Sequence, residues 1–263
     1  MDAAEFWSIG DYATVGELWG APGRDLAAAV EPDGLDIVDL ATGTGVTALA
    51  MAERGARSVV GVDVTSPLLE EAARRAARLG LSIDWVEADM TAVPLPDRSA
   101  DLVVSTFGLI FAPDPVAAID ECRRLTRPGG RIIFTSWART GLFGRLRTAL
   151  APYFPHAPEP WHERAEDIRS VVGQDARVTE RSFTMSIASP ESFVSQLEQQ
   201  SAPFVLGAQA LGDRWTDARS ALVDVVAGAA EQFDGAYGAE VGYLVTTITV
   251  AEQRSETTGL RVL

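Results

Sequence analysis

The stretch Ile37-Val38-Asp39-Leu40-Ala41-Thr42-Gly43-Thr44-Gly45-Val46-Thr47 decides the fold of this chain. It begins as an apolar run that ends in an acid, and it then passes through a turn with two glycines. Val46, Leu49 and Ala50 follow at the i, i+3, i+4 spacing of a helix. A strand, a glycine turn and a helix start in this order are typical of the nucleotide-binding edge of a doubly wound α/β fold.

Strand-like runs alternate with helical patterns between residues 35 and 137. Most of these runs are almost entirely apolar, as expected for parallel strands that are buried on both faces. Asp114-Pro115 and Ser66-Pro67 each combine a capping residue with proline at the first helical position, and Gly80 is expected to end a helix. The pattern predicts an α/β protein with a doubly wound, mostly parallel sheet. The five strand candidates are Leu35–Leu40, Ser58–Val62, Ser82–Val86, Leu102–Ser105 and Arg131–Trp137.

The composition limits the kinds of molecule that the chain is expected to bind. The chain has 263 residues and a formal net charge of −15. A phosphate backbone usually requires a basic surface, so we expect no nucleic-acid partner and no membrane partner. Every Lys-or-Arg position is arginine and asparagine is absent, which excludes a Schiff-base lysine, a P-loop lysine and N-glycosylation.

The number of cysteines and the search for targeting signals indicate the cellular compartment. A single cysteine, Cys122, excludes an intramolecular disulfide, and its helical spacing from Ile119 and Leu125 predicts a core position. We find no basic segment followed by an apolar one near residue 1, and no apolar run long enough to span a bilayer. These features predict a cytoplasmic protein.

Acidic residues follow three of the predicted strands. Asp39 ends the first strand, Asp63 ends the second, and Asp89-Met90 follows the third. Ligands of open α/β sheets bind beyond these strand ends, where an acid such as Asp63 can accept hydrogen bonds from both ribose hydroxyls. Asp89 can accept from the exocyclic amine of adenine, with Met90 against the ring. The pattern therefore indicates an adenosine-containing ligand.

The glycine turn is compatible with two cofactor classes. Residues 43–48 fit the loose dinucleotide pattern G-x-G-x-x-A, and Asp63 lies at the expected distance. A dinucleotide does not need Asp39 before the turn or Asp89 after the third strand. A single adenosine with an amino-acid tail and a sulfonium centre would use both, because Asp39 can accept from an ammonium group.

Five segments have the order and spacing of known motifs. They are Asp39-Leu-Ala-Thr-Gly-Thr-Gly45, Val60-Gly-Val-Asp63, Glu87-Ala-Asp-Met90, Asp101-Leu-Val-Val-Ser-Thr-Phe107 and Leu125-Thr-Arg-Pro-Gly-Gly-Arg131. Together they resemble class I S-adenosylmethionine-dependent methyltransferases, and most closely the small-molecule branch that includes quinone-biosynthesis methyltransferases. The resemblance is strong over residues 35–137. It implies a seven-stranded, mostly parallel, Rossmann-like sheet and S-adenosyl-L-methionine as cofactor.

The resemblance also implies which residues bind the cofactor and that no metal is used. Ala41 departs from the family, since many members have glycine there. Metal-assisted catechol methylation normally uses an asparagine ligand, which this chain lacks. Carried over by position, the cofactor-binding residues are Asp39, Ala41, Gly43 and Gly45 for the methionyl tail, Asp63 and its neighbour Val64 for the ribose, Asp89 and Met90 for the adenine, and Ser105 and Thr106 for the methyl-donor region.

We expect one methyltransferase domain over residues 1–263. It would comprise an N-terminal helical lid (1–30), a cofactor-binding core (31–137), a cap inserted after strand five (138–175), C-terminal strands and helices (176–250) and a tail (251–263). In the C-terminal part the sequence predicts strands at Arg177–Ile187 and Glu240–Val250, a helix that starts at Ser189-Pro190, and a helix over Ala218–Phe233.

Three residues are candidates for a catalytic role. His156 and His162 lie in a segment rich in proline and aromatic residues that we expect over the strand ends, although a surface-loop position fits them equally. Tyr12 lies in the aromatic N-terminal stretch, for which packing on the sheet edge and a lid role both stay open. Correct placement of substrate and methyl group could also suffice without a base. The aromatic residues expected to line a small apolar substrate site are Trp137, Phe143, Tyr153, Phe154 and Trp161.

The expected function is methyl transfer from S-adenosylmethionine to a small organic molecule, such as a quinone-like or secondary-metabolite scaffold. Three alternatives stay open at this point. They are a related enzyme that binds the same cofactor but catalyses a cyclisation, a nicotinamide-dependent oxidoreductase, and a ligand-binding protein without activity. The sequence also leaves open assembly as a homodimer.

Overall fold

The computed structural model describes residues 2–233 and 236–252, which form eight strands and eleven α-helices. The strands are β1 (Asp36–Leu40), β2 (Ser58–Asp63), β3 (Asp84–Glu87), β4 (Ala100–Thr106), β5 (Thr126–Trp137), β6 (Arg177–Ile187), β7 (Ala230–Phe233) and β8 (Ala236–Thr249). The helices are α1 (Ala3–Trp7), α2 (Tyr12–Val15), α3 (Ala21–Val30), α4 (Val46–Glu53), α5 (Ser66–Leu79), α6 (Pro115–Leu125), α7 (Leu142–Leu150), α8 (Ala165–Val172), α9 (Pro190–Gln200), α10 (Ala202–Leu211) and α11 (Trp215–Ala227).

The strands form one sheet in the order β3-β2-β1-β4-β5-β8-β6, and the short β7 pairs with β8 outside this path. The first five strands of the order are parallel, whereas β8 runs antiparallel to both β5 and β6. The order in which successive strands are added to the sheet reverses between β1 and β4, which makes this the switch point of the doubly wound sheet. The register aligns Asp39 with Gly61 on β2 and with Val104 on β4. The predicted doubly wound, seven-stranded, mostly parallel sheet is confirmed, with β7 as an addition.

Helices cover the parallel part of the sheet on both faces. Successive residues of β1 enter different cores, because side chains alternate between the faces of a strand. Ile37 packs with α3 and α4, and Val38 packs with α6 and α8. Cys122 on α6 is 1% exposed in the second of these cores, as predicted, and burial raises the pKa of its thiol to about 12.

The predicted helix boundaries are confirmed at two of three sites. Asp114 accepts from the backbone N–H groups of Val116 and Ala117 and caps α6, with Pro115 in the first turn. Gly80 has a φ of +68° and ends α5. The N-cap of α5 is Thr65 rather than Ser66, because Ser66 already has helical geometry.

The helix predicted over Ala218–Phe233 is wrong in its last six residues. Helix α11 ends at Ala227, and Ala230–Phe233 forms β7 against residues 236–239 of β8. The reason is tertiary: the start of β8 extends beyond β5 and leaves an edge with which β7 pairs. The strand predicted from Glu240 accordingly begins at Ala236.

Residues 138–175 cross from the end of β5 to the start of β6. Helix α7 packs against α11, and α8 packs against α6 through Ile168 and Val172. The tail predicted at 251–263 lies outside the described residues from 253 onward. Across the described part of the chain, each helix is too short or too polar to cross a membrane.

Candidate functional site

The chain reverses sharply between β1 and α4. Ala41, Gly43 and Gly45 have φ values of +53°, +55° and +81°, a region that glycine occupies at low cost and other residues do not. The Thr42 N–H donates to the carbonyl of Val62 at 2.9 Å, which ties the turn to the end of β2. The turn is thus shaped by its glycines and held by the neighbouring strand.

Asp39 lies beneath this turn and is 1% exposed. Its Oδ2 accepts from the hydroxyl of Thr42 at 2.6 Å and from the N–H of Ala48 at 3.1 Å. Burial raises the pKa of Asp39 from 3.8 to about 7, although both hydrogen bonds oppose that change. A cationic group bound nearby would favour the ionised carboxylate.

Asp63 at the end of β2 holds the turn from the other side. Its Oδ2 accepts from the N–H of Gly43 at 2.8 Å, and its Oδ1 accepts from the N–H of Thr65 at 2.9 Å. The side chain is 7% exposed, and burial raises its pKa. Each oxygen retains a lone pair, so Asp63 can still accept from a ligand.

A cleft of about 670 Å³ opens beyond the ends of β2 and β4, and we call it the acidic cleft. Asp63 and Asp89 supply its carboxylates, and its other walls are mostly apolar. It is lined by Ala3, Trp7, Tyr12, Ala41, Gly43, Asp63, Val64, Leu68, Ala88, Asp89, Met90, Phe107, Gly108, Phe111 and Pro113.

A second cleft of about 450 Å³ lies over the glycine turn, and we call it the turn cleft. It shares Tyr12, Ala41, Gly43 and Phe107 with the acidic cleft, so the two adjoin. The hydroxyls of Thr47 and Thr106 are 2.9 Å apart on its polar side. It is lined by Tyr12, Gly16, Trp19, Gly20, Gly23, Asp39, Ala41, Thr42, Gly43, Thr44, Val46, Thr47, Thr106 and Phe107.

The structure brings eight of the ten expected cofactor-binding residues to these clefts. Gly45 and Ser105 do not line either one. A Cβ on Gly45 would lie 2.8 Å from the ring of Trp85, and Ser105 is 2% exposed with its Oγ accepting from the N–H of Leu109. Both residues shape the backbone around the clefts. The eight that line them are Asp39, Ala41, Gly43, Asp63, Val64, Asp89, Met90 and Thr106.

Neither histidine lies at the clefts. His156 is exposed in the loop between residues 153 and 165. His162 packs edge-on against Trp161, which in turn contacts Phe134 in the core beneath α6 and α8. The histidines expected over the strand ends are therefore absent from the lining of both clefts, and α8, which follows them, packs against α6.

The aromatic residues expected around one substrate site are divided among three places. Trp137 and Phe143 stack at 4.1 Å beside the turn cleft. Tyr153 lies beneath the guanidinium of Arg214, and Trp161 lies in the core near Phe134. The fold therefore keeps only the first pair close to the site.

The N-terminal segment covers the clefts instead. Trp7 contacts Phe111 edge-on at 4.7 Å, and the Nε1–H of Trp19 donates to the hydroxyl of Tyr12 at 3.4 Å. The N–H of Asp11 donates to the carbonyl of Gln200 at 3.1 Å, which anchors the segment to the end of α9. Of the three catalytic candidates, Tyr12 is therefore the one that lies at the clefts.

Phe107 joins the two clefts and has strained backbone geometry. Its φ is +58°, and its N–H donates to the hydroxyl of Thr135 at 3.0 Å. Its ring stacks on Trp137 with centroids 3.6 Å apart. A bulky residue with positive φ is uncommon and is found where the surroundings fix it, often at functional sites.

Sequence reasoning missed several residues that line the clefts. Trp7 belongs to the aromatic N-terminal stretch, but its spacing alone gives no reason to select it over its neighbours. Gly16, Gly20 and Leu68 carry no motif. Their roles depend on how α2, α3 and α5 pack over the turn, which is a tertiary property.

Comparisons with known proteins agree with this geometry. A family described as a methyltransferase domain matches residues 37–130. Aklanonic acid methyltransferase DauC of Streptomyces sp. (strain C5) is 33% identical over 174 residues, covering 58% of this chain and 79% of the relative. The chain belongs to the class I methyltransferase family. The resemblance predicted from the five motifs is confirmed, and membership implies S-adenosylmethionine as the cofactor.

Two further relatives of this chain carry different descriptions. An uncharacterized protein of Mycobacterium tuberculosis (strain H37Rv) is 41% identical over 152 residues, covering 57% of this chain and 55% of the relative. The demethylmenaquinone methyltransferase of Thermus thermophilus is 40% identical over 116 residues, covering 44% and 52%. The chain thus spans about half the length of the first relatives that it matches.

A solved structure shares the fold of this chain at low identity. The YcgJ protein of Bacillus subtilis superimposes with a TM-score of 0.58 at 16% identity, covering 87% of this chain and 98% of that one. The likeness confirms the fold class and extends beyond the five parallel strands.

Proposed function

We propose that this chain binds S-adenosyl-L-methionine across the two adjoining clefts and transfers its methyl group to a small organic molecule. The observation that carries the proposal is the continuity of the clefts, which share Tyr12, Ala41, Gly43 and Phe107. One cleft has carboxylates at a mostly apolar wall, and the other lies on a glycine turn above a buried acid. An elongated ligand with a nucleoside at one end and an amino acid at the other fits both.

The acidic cleft suits the adenosine half of the cofactor. Asp63 has spare acceptor capacity for the ribose hydroxyls, and Asp89 can accept from an exocyclic amine. Met90, Val64 and Leu68 offer apolar surface to a flat ring. This donor and acceptor set favours adenosine over a ligand rich in phosphate, because no arginine lines the cleft among the described residues.

The turn cleft suits the amino-acid half. The start of α4 favours a carboxylate, since backbone N–H groups and the helix dipole point toward it. Asp39 lies under the same turn and would be stabilised in its ionised form by an ammonium group. The two charges of an amino-acid tail therefore each meet an opposite partner.

Tyr12 is proposed as a positioning group at the junction of the clefts. When bound, the sulfonium centre supplies an electrophilic methyl group. Burial raises the pKa of Tyr12, and the charge of Asp63 adds to that effect, so the hydroxyl stays protonated at neutral pH. Tyr12 can thus donate a hydrogen bond and exclude water, but it is a poor base. Catalysis would then rest on alignment of the acceptor with the methyl group.

A quinone-like or secondary-metabolite acceptor is supported by two facts. The demethylmenaquinone and aklanonic acid methyltransferases are among the relatives. Trp19 and Phe107 line the turn cleft, and the ring cluster of Trp137 and Phe143 packs behind them, so this side of the cleft is aromatic. The family matches do not favour the cyclase and oxidoreductase alternatives.

The proposal is tested by turnover with a panel of hydroxyquinones and phenols. We expect mass spectrometry to detect products heavier by one methylene unit, formed together with S-adenosylhomocysteine. In Tyr12→Phe we expect kcat to fall about tenfold, the loss of one hydrogen bond that forms mainly in the transition state, with little change in the cofactor KM. Tight NAD(H) binding without S-adenosylhomocysteine binding would contradict the proposal.

A further inference from the structure

A groove of about 910 Å³ lies on the sheet away from the two clefts. Its floor is one face of β5, β8 and β6, and its wall is α3. The register places Thr135, Val245 and Thr179 in one row across the three strands, and Ile133, Thr247 and Arg177 in the next. We call this surface the arginine groove, because Arg131, Arg177 and Arg181 line it.

The arginine groove is lined mainly by positive charge, whereas the whole molecule is negatively charged. The chain carries a formal net charge of −15, and many of its arginines are paired with carboxylates, for example in the ion pairs of Arg57, Arg124 and Arg147. The side chains of Arg177 and Arg181 make no ion pair or hydrogen bond with any residue in the described ranges. Arg131 donates to the carbonyl of Val30 at 3.3 Å, which holds its guanidinium at the rim.

The three arginines are spread over the floor of the groove. Arg177 and Arg181 lie four residues apart on β6 and share a face, which separates their Cα atoms by roughly 13 Å. Arg131 is two strands away and one two-residue step along, which gives roughly 12 Å between its Cα and that of Arg177. The three side chains therefore rise from well-separated points on the floor of the groove. A ligand with charges at both ends of a short body would contact arginines at more than one of these points.

Hydroxyl groups add neutral donors between the charges. Tyr243 lines the groove and is 2% exposed; burial raises its pKa, the charge of Asp25 raises it further and the charge of Arg181 lowers it. Thr179 and Thr247 face the same groove. Asp25 on α3 is the carboxylate in the lining, and it opposes an anion.

We propose that the arginine groove binds a small organic anion with two separated phosphate or carboxylate groups. An acidic protein partner is less favoured, because the net negative charge of the whole chain would repel it over a large interface. A small anion experiences mainly the local arginines, since salt screens charges beyond about 8–10 Å. The proposal is independent of the methyl-transfer function.

The test uses two probes on the full chain at low salt. Hexane-1,6-diyl bisphosphate carries two phosphates joined by a short chain, and inorganic phosphate carries one. By calorimetry we expect the bisphosphate to bind at least tenfold more tightly than phosphate. Arg177→Gln should weaken bisphosphate binding about tenfold, as expected for one charge-assisted contact. Asp25→Asn should tighten it severalfold.

A matched control separates the groove from general charge. Arg54→Gln removes one exposed arginine at the end of α4, far from β6, and should leave bisphosphate affinity within twofold. Equal losses in Arg54→Gln and Arg177→Gln would overturn the proposal, as would the absence of saturable bisphosphate binding. Tight binding of heptaglutamate without bisphosphate binding would also overturn it, in favour of a protein partner. The thermal midpoint of each variant shows that folding is retained.

Discussion

The glycine turn after β1 and the proline-rich segment 151–162 both hold titratable groups, yet the fold uses them differently. Asp39 lies under the turn where parallel strands end, and burial raises its pKa to about 7. His162 lies against Trp161 away from the clefts, with Nδ1 buried and without a hydrogen-bond partner, and burial lowers its pKa to about 4. Burial disfavours the charged form of both groups, but only Asp39 is near a place where a ligand can restore the charge.

This comparison teaches that a buried titratable residue becomes functional through its neighbours. Asp39 has two hydrogen bonds on one oxygen and lines the turn cleft. Glu163, next to His162, makes a bidentate ion pair with Arg147 at 2.7 and 2.8 Å and is 4% exposed. The segment is therefore a structural support that holds α7 to the loop before α8.

The largest effect is expected for Asp39→Asn. The folded-state pKa of about 7 lies above 3.8. Below about pH 4 Asp39 is protonated in both states and does not lower the free energy of unfolding, whereas above about pH 7 it is ionised in both states and lowers that free energy by the full amount. The asparagine Oδ1 can keep both hydrogen bonds, so at pH 8 the free energy of unfolding should rise by up to about 4 kcal/mol. Denaturant titrations at several pH values measure this difference.

The same variant should lose affinity while it gains stability. Wild-type affinity for S-adenosylhomocysteine should increase between about pH 6 and pH 8 and be accompanied by proton release, whereas Asp39→Asn should bind about tenfold more weakly with a flat profile. A variant that is less stable at pH 8 and keeps its affinity would place Asp39 among purely structural residues.

A smaller effect of opposite sign is expected for His162→Gln. The folded-state pKa of about 4 lies below 6.5, so stability from the neutral imidazole is present above about pH 6.5 and is lost as the pH falls toward 4. The wild type should lose up to about 3 kcal/mol over that window relative to the variant, at about 1.4 kcal/mol per pKa unit. Cofactor affinity should not change. A tenfold loss of affinity would show that His162 contributes to cofactor binding.

Gly108 and Ala41 test the backbone of the clefts with an effect of about 1–3 kcal/mol. A Cβ on Gly108 would lie 2.3 Å from the Cβ of Ala41, so Gly108→Ala should lower the thermal midpoint and weaken cofactor binding. Adding Ala41→Gly removes the clashing methyl and supplies the residue that a φ of +53° favours, so the double variant should recover. Failure of the double variant to recover would show that the contact with the Ala41 methyl is not the constraint at Gly108.

The sequence was sufficient to predict the sheet and one side of the site. Asp39, Asp63 and Asp89 end or follow parallel strands, and parallel strands bring their carboxyl ends to one edge. Chain order alone therefore places these acids together. The resemblance of the motifs then indicated which ligand uses all three.

The rest depended on packing between distant segments. Nothing local to residues 138–175 shows that Ile168 and Val172 dock on α6, so the histidines were predicted at the wrong place. The contact between Trp7 and Phe111 likewise joins segments more than a hundred residues apart in sequence number. β7 forms because β8 offers it an edge, although its own sequence continues a helical pattern.

The measurement that tests the central claim most directly is a calorimetric titration of S-adenosylhomocysteine into three proteins: the wild type, Asp63→Asn, and a double variant with His156→Gln and His162→Gln. The two oxygens of Asp63 accept from the N–H groups of Gly43 and Thr65. In Asp63→Asn the amide oxygen can accept from one of these groups, but the amide NH2 faces the other donor, and the negative charge near the ribose is lost. We expect Asp63→Asn to bind about 100-fold more weakly and the double histidine variant to match the wild type within twofold. Unchanged affinity in Asp63→Asn, or a large loss in the histidine variant, would contradict the account.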